Sequence, residues 1–292
     1  LPDQIIAPIR QLYTLNAELY PLIEEFESSI YVIGGQAIAY WLNYYENQII
    51  ISDEQAKLAQ SSDIDYVSIK KDVRLLGEAW GVDVNYAKED HQPPSTAIIS
   101  LVQNNKIKSN NEGELFVDFD HFDETGELKP NIVDIIDFPM GFNHTSFKFE
   151  GKIRLISEPC HLPDAFGVPA HDKLRVLNPI ACIQSRLHNL AYIPHRRGRE
   201  RARIELLMPA SFYFLQDKIS DGNFRKAKKY IDNLIYIAKS KEAESAYKLH
   251  GVNLLPLCEK LSTLPDTPDK FNEIELVDAL DKIKTKYHQS HN

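Results

Sequence analysis

Three aspartates and a pair of glycines carry the chemistry that this 292-residue chain could do. Asp63 and Asp65, in Ser61-Ser62-Asp63-Ile64-Asp65, are two apart at the start of a strand-like run. Side chains at that spacing leave one face of a strand and aim two carboxylates at one point. Such a pair suits a hard divalent cation, Mg²⁺ or Mn²⁺. A third carboxylate from a neighbouring strand would complete a site for one or two metals. Asp134, in Asn131-Ile132-Val133-Asp134-Ile135-Ile136, is the best candidate, because its apolar neighbours place it on a buried strand. Asp118, in Phe116-Val117-Asp118-Phe119-Asp120, competes for the same role. Upstream, Gly34-Gly35 ends a short strand and opens a helix, a turn whose backbone N–H groups can receive phosphate. Carboxylates, metal and phosphate together favour in-line phosphoryl or nucleotidyl transfer.

The elements needed to position these groups are legible in the patterning. Ile5 to Phe26 repeats apolar residues at three- and four-residue steps, predicting a helix interrupted at Pro8 and Pro21. Ile30-Tyr31-Val32-Ile33 predicts a strand, Gln36 to Tyr45 a helix, and Ile64 to Ile69 a second strand. Further strands are expected at 97–102, 114–120 and 132–138, the last two joined by the polar stretch 123–127, with a strand or loop at 146–156. Pro159, Pro163, Gly167 and Pro169 mark a connector, and Asn178-Pro179 opens a helical remainder. The expected architecture is α/β (α+β): a mixed-sheet core over 1–158 and a mainly helical C-terminal domain over 159–292, with the active cleft between them.

Gly34-Gly35-Gln36-Ala37 together with Ser62-Asp63-Ile64-Asp65 resembles the nucleotidyltransferase superfamily with the DNA polymerase beta-like fold, most closely its bacterial minimal and AbiEii-like branches. Arg175 to Pro179 and Ser185 to Leu190 are similar to a helix that follows the core in bacterial predicted nucleotidyltransferases. The resemblance covers about residues 25–205. It implies Asp63, Asp65 and Asp134 as catalytic metal ligands, with Asp134 also serving as base towards the acceptor. Gly34 and Gly35 would hold the triphosphate of an NTP, with Gln36 and Ser62 nearby, and Arg186 would contact phosphate. The acceptor, whether a small molecule, a tRNA or other RNA end, or a protein, is left open, as is the oligomeric state. Members of the AbiEii-like branch act as toxins, so an antitoxin partner is an expectation of the resemblance. The family's compact motif is shorter than the interval of 28 positions from Gly35 to Asp63, and an insertion at 46–60 would account for the difference.

Competing chemistries fail on pattern. No G-x-G-x-x-G follows the first strand, the phosphate-binding Walker pattern is missing, and no G-x-S-x-G or H-E-x-x-H occurs. A catalytically silent nucleotide- or RNA-binding module of the same fold is the alternative, and a carboxylate-dependent nuclease a third. Cys160, Cys182 and Cys258 are odd in number and widely spaced, so neither a disulfide framework nor a cysteine zinc site is expected. No apolar run reaches the length of a membrane span, and the first residues lack a basic stretch before an apolar one, so a cytoplasmic protein is expected.

The formal net charge of −9 argues against a generally basic nucleic-acid coat. It averages opposed regions. Residues 186–230 hold eleven Lys+Arg against four Asp+Glu, including the five arginines of 196–203. Residues 112–137 hold nine carboxylates against one lysine. That split predicts carboxylates on one wall of a cleft and arginines on the other.

Overall fold

The computed structural model describes residues 5–59, 61, 63–88, 95–122, 126 and 128–288. Strands are β1 (Ile30–Val32), β2 (Ile64–Val67), β3 (Asn85–Tyr86), β4 (Ser95–Ser100), β5 (Val102–Gln103), β6 (Lys106–Ile107), β7 (Val117–Phe122), β8 (Leu128–Pro130), β9 (Ile132–Ile136), β10 (Ser157–Pro159) and β11 (Leu174–Leu177). Helices are α1 (Pro8–Glu18), α2 (Gly34–Tyr44), α3 (Asp53–Ala59), α4 (Val73–Trp80), α5 (Glu150–Ile156), α6 (Pro179–Tyr192), α7 (Arg197–Ser220), α8 (Phe224–Ala238), α9 (Lys241–His250), α10 (Leu255–Lys260) and α11 (Leu276–His288). The protein is therefore mixed α/β with a helical C-terminal region. None of the helices among the described residues is long and apolar enough to cross a membrane.

Two compact units emerge, one of residues 1–40 and 60–177, the other of 41–59 and 178–292. The first is built on a seven-stranded mixed sheet in the order β10-β11-β1-β2-β9-β4-β3. β2 and β9 are parallel, while β4 runs antiparallel to β9 and β1 antiparallel to β2. The reason for this sheet is visible in β2, β9 and β4. Ile64, Tyr66, Val133, Ile135, Ala97 and Ile99 are at most 1% exposed, while the residues alternating with them are more open. That is the period-2 signature of strands with one face in the core.

The second unit is helical. Asn178 accepts a hydrogen bond from the Ala181 amide and Pro179 takes the first helical position, which starts α6. α6 packs along α7, and α3 also packs on α7. Trp41 stacks on Tyr45 and meets Phe214 edge-on. The segment that lengthens the interval between Gly35 and Asp63 thus belongs to the helical unit, and the chain passes from one unit to the other within α2.

Three local expectations are corrected. Helix α1 begins at Pro8 rather than being broken there, because proline at the first position gives up no intrahelical bond. Residues 150–156 form helix α5, and only Ser157–Pro159 is strand. β7 pairs with β8, while β9 pairs between β2 and β4, so the strands expected at 114–120 and 132–138 are not partners; the stretch 123–127 lies, except for residue 126, outside the described residues.

Candidate functional site

The site is assembled at the ends of β1 and β2. After β1 the Ile33 amide donates to the Asp65 carbonyl at 3.0 Å, tying the two strands at the point where the chain turns into α2. Gly34 opens that helix with φ +67, a backbone that favours glycine. A Cβ at this position would stand 1.8 Å from Asp65 Oδ2. Glycine is therefore required twice, by its own dihedral and by the carboxylate lying against it. The first N–H groups of α2 have no intrahelical acceptor and carry the positive end of its dipole, which stabilises an anion placed there.

Asp134 on β9 is the register partner of Asp65 on β2. Residues paired in this way point to the same face, so two partly buried carboxylates stand side by side on adjacent strands. Like charges in that position favour a shared cation or proton. Asp63 directly precedes β2 and is exposed. Ser61 Oγ donates to the Asp63 carbonyl at 3.2 Å, and the Gln36 side-chain amide donates to the Ser61 carbonyl. Gln36, fully buried in the first turn of α2, thus ties the turn that leads into Asp63 to the glycine helix. Its Oε1 is buried without a hydrogen-bond partner among the described residues. Ser62 lies outside the described residues. Asp118 sits on β7, in the separate β7–β8 ribbon, and is not part of the central sheet.

The chain matches no family model, no curated protein and no solved structure.

Among the described residues, no group of three or more His, Cys, Asp or Glu is gathered to hold a metal ion, so Asp63, Asp65 and Asp134 do not form such a cluster. The Asp65–Asp134 pair still fits one: Mg²⁺ is commonly bound by one or two carboxylates, with substrate phosphates and water completing its octahedron.

Arg186 is committed elsewhere. It is 6% exposed on α6, and its Nη1 lies 3.1 Å from Oε2 of Glu200, which is fully buried. Arg203 approaches the same carboxylate at 3.5 Å, and Asn189 donates to it at 3.5 Å. Its guanidinium is thus held in a buried ion pair inside the helical unit. One further arginine of the segment is also engaged, Arg201 pairing with Glu205 at 3.0 Å. The cysteines are buried, and burial pushes each thiol up to about 12.

Two residues with a bearing on the site were not singled out in the sequence. Ile98 is the register partner of Asp134, and Ile132 stands two residues before Asp134 on its own strand. Both are 43% exposed. The sequence signal for Ile132 was its two-residue spacing from Asp134, whereas Ile98 becomes a neighbour of Asp134 only through strand register.

Proposed function

We propose that the protein is a metal-dependent nucleotidyltransferase that moves a nucleoside monophosphate from an NTP to an acceptor hydroxyl. The observation that carries this reading is the pairing of Asp65 with Asp134 beside Gly34, at the N-terminus of α2. Asp65 and Asp134 would hold Mg²⁺ or Mn²⁺, with Asp63 at the strand entrance. The bound cation supplies charge neutralisation on the triphosphate. The N–H groups of Gly34 and Gly35 receive the phosphates of the leaving group. Gln36 fixes the Ser61–Asp63 turn. The acceptor oxygen forms its bond to the α-phosphorus as the bond to the bridging oxygen breaks, pyrophosphate leaves with that electron pair, and Asp134 takes the hydroxyl proton.

The test pairs binding with transfer. Calorimetry should find NTP binding that requires Mg²⁺, and α-labelled NTP incubated with cell extract should label an acceptor. Asp65→Asn with Asp134→Asn should lower transfer by at least the 10²-fold that a lost electrostatic contact costs, with the circular-dichroism spectrum unchanged. Equal labelling by the double variant would sink the assignment. A second reading, a nucleotide-binding module without catalysis, is favoured by the three aspartates not being gathered into one cluster. It predicts NTP binding without any labelled product.

A further inference from the structure

The outer half of the central sheet leaves one face open, and that face is not uniformly polar. The out-pointing positions of a half-buried sheet are normally polar, yet Ile98 and Ile132 are 43% exposed there. Register fixes their place. Asp65 pairs with Asp134, Asp134 with Ile98, and Ile98 with Asn85, so these four side chains form one row across β2, β9, β4 and β3. Ile132 lies on the same face, two residues before Asp134. Strands are spaced about 4.8 Å apart, so the row steps from two carboxylates to an isoleucine and then to an exposed amide.

We propose that the β4–β3 side of the carboxylate pair is the acceptor subsite, with Ile98 and Ile132 as an apolar platform and Asn85 as its hydrogen-bonding rim, built for an uncharged flat ring that carries the attacked hydroxyl, as a nucleoside does. This rests on the transfer reading above. In-line displacement brings the incoming oxygen to the face of phosphorus opposite the leaving group. Gly34 follows β1, which flanks β2 on the side away from β9. With pyrophosphate held there, the acceptor comes over Asp134 from the side of β4. The incoming hydroxyl loses its proton to Asp134 as its oxygen bonds to phosphorus and pyrophosphate departs. The chemistry of the surface selects the ring. A polycation would be drawn to the aspartates but would gain nothing from two isoleucines, and a bare polyanion would be repelled.

The test uses uridine and adenosine as probes, in the full chain with Mg²⁺ and a non-hydrolysable α,β-methylene NTP. Calorimetry should detect nucleoside binding that Ile98→Ser weakens at least tenfold and Asn85→Ala severalfold, while the NTP analogue binds within twofold of wild type. With α-labelled NTP, the nucleoside should be labelled in preference to an amino sugar or a serine-containing peptide. Labelling of the amino sugar or peptide instead, or nucleoside binding indifferent to both substitutions, overturns the proposal. NTP binding with no transfer to any probe overturns it too, while leaving the metal–NTP reading standing. Failure of the wild-type chain to bind any NTP takes down both.

Discussion

Gly34→Ala tests whether the carboxylate of Asp65 really lies on the glycine. Two costs are separable. The backbone at φ +67 penalises any L-residue by about 1–2 kcal/mol. The added methyl would stand 1.8 Å from Oδ2, 2.8 Å from Cγ and 3.0 Å from Cβ of Asp65, and overpacking of this kind costs about 1–3 kcal/mol. Gly34→Ala alone should therefore destabilise the sheet unit by the sum, roughly 2–5 kcal/mol. Asp65→Ala removes Oδ2 and Cγ and leaves only the 3.0 Å contact. In the double variant the backbone cost should persist and most of the clash should vanish, giving a coupling of roughly 1–3 kcal/mol. Urea unfolding can be followed by the fluorescence of Trp80, whose ring centroid is 5.8 Å from that of Tyr66 on β2. The second tryptophan, Trp41, belongs to the other unit and is silenced in a Trp41→Phe background. Additivity of the two single effects to within about 0.5 kcal/mol would refute the contact and with it the placement of Asp65 at the helix N-terminus.

Two more outcomes are expected in the helical unit. Glu200→Ala should cost about 3–5 kcal/mol in urea unfolding, because it leaves Arg186 and Arg203 buried without their shared carboxylate; a loss below 1 kcal/mol would show that the arginines find water. His250 is held below its ordinary pKa by burial and by Arg197 and Arg201. A depressed histidine pKa means that the unfolded chain binds the proton more readily, so this contribution to stability is present above about pH 6.5 and is lost as pH falls below it. His250→Gln should flatten the pH dependence of unfolding between pH 7 and 5.5, and an unchanged slope would contradict the shift.

Much of the fold and part of the site follow from short-range pattern. Gly34-Gly35 and Asp63-Ile64-Asp65 are readable because each is a few residues long and its geometry is set by local dihedrals. The mixed sheet and the helical C-terminal region follow from periodicity. What escapes local reading is pairing across distance. Asp65 and Asp134 are 69 residues apart, and only register makes them neighbours. Residues 46–60 read as an insertion, and α3 within them packs on α7. In Glu150-Gly151-Lys152-Ile153-Arg154-Leu155-Ile156 the apolar residues fit either a strand or a helix end, and the helix prevails. In Ala97-Ile98-Ile99 a continuous apolar run hides which residue faces out, so the exposed Ile98 passes for core.

Charge shows the same gap between composition and placement. The nine carboxylates of 112–137 and the eleven cations of 186–230 suggest two opposed walls. Within the sheet unit, however, Glu112 and Glu114 lie 3.4 and 3.2 Å from Arg10. Within the helical unit, Arg186 and Arg203 share Glu200, and Lys228 bridges Asp232 and Glu275 at 2.8 and 3.2 Å. Charges paired inside their own unit exert little field on a ligand. Asp65 and Asp134 stand beside each other on adjacent strands of a half-buried face. That adjacency is set by strand register, which regional charge cannot reveal.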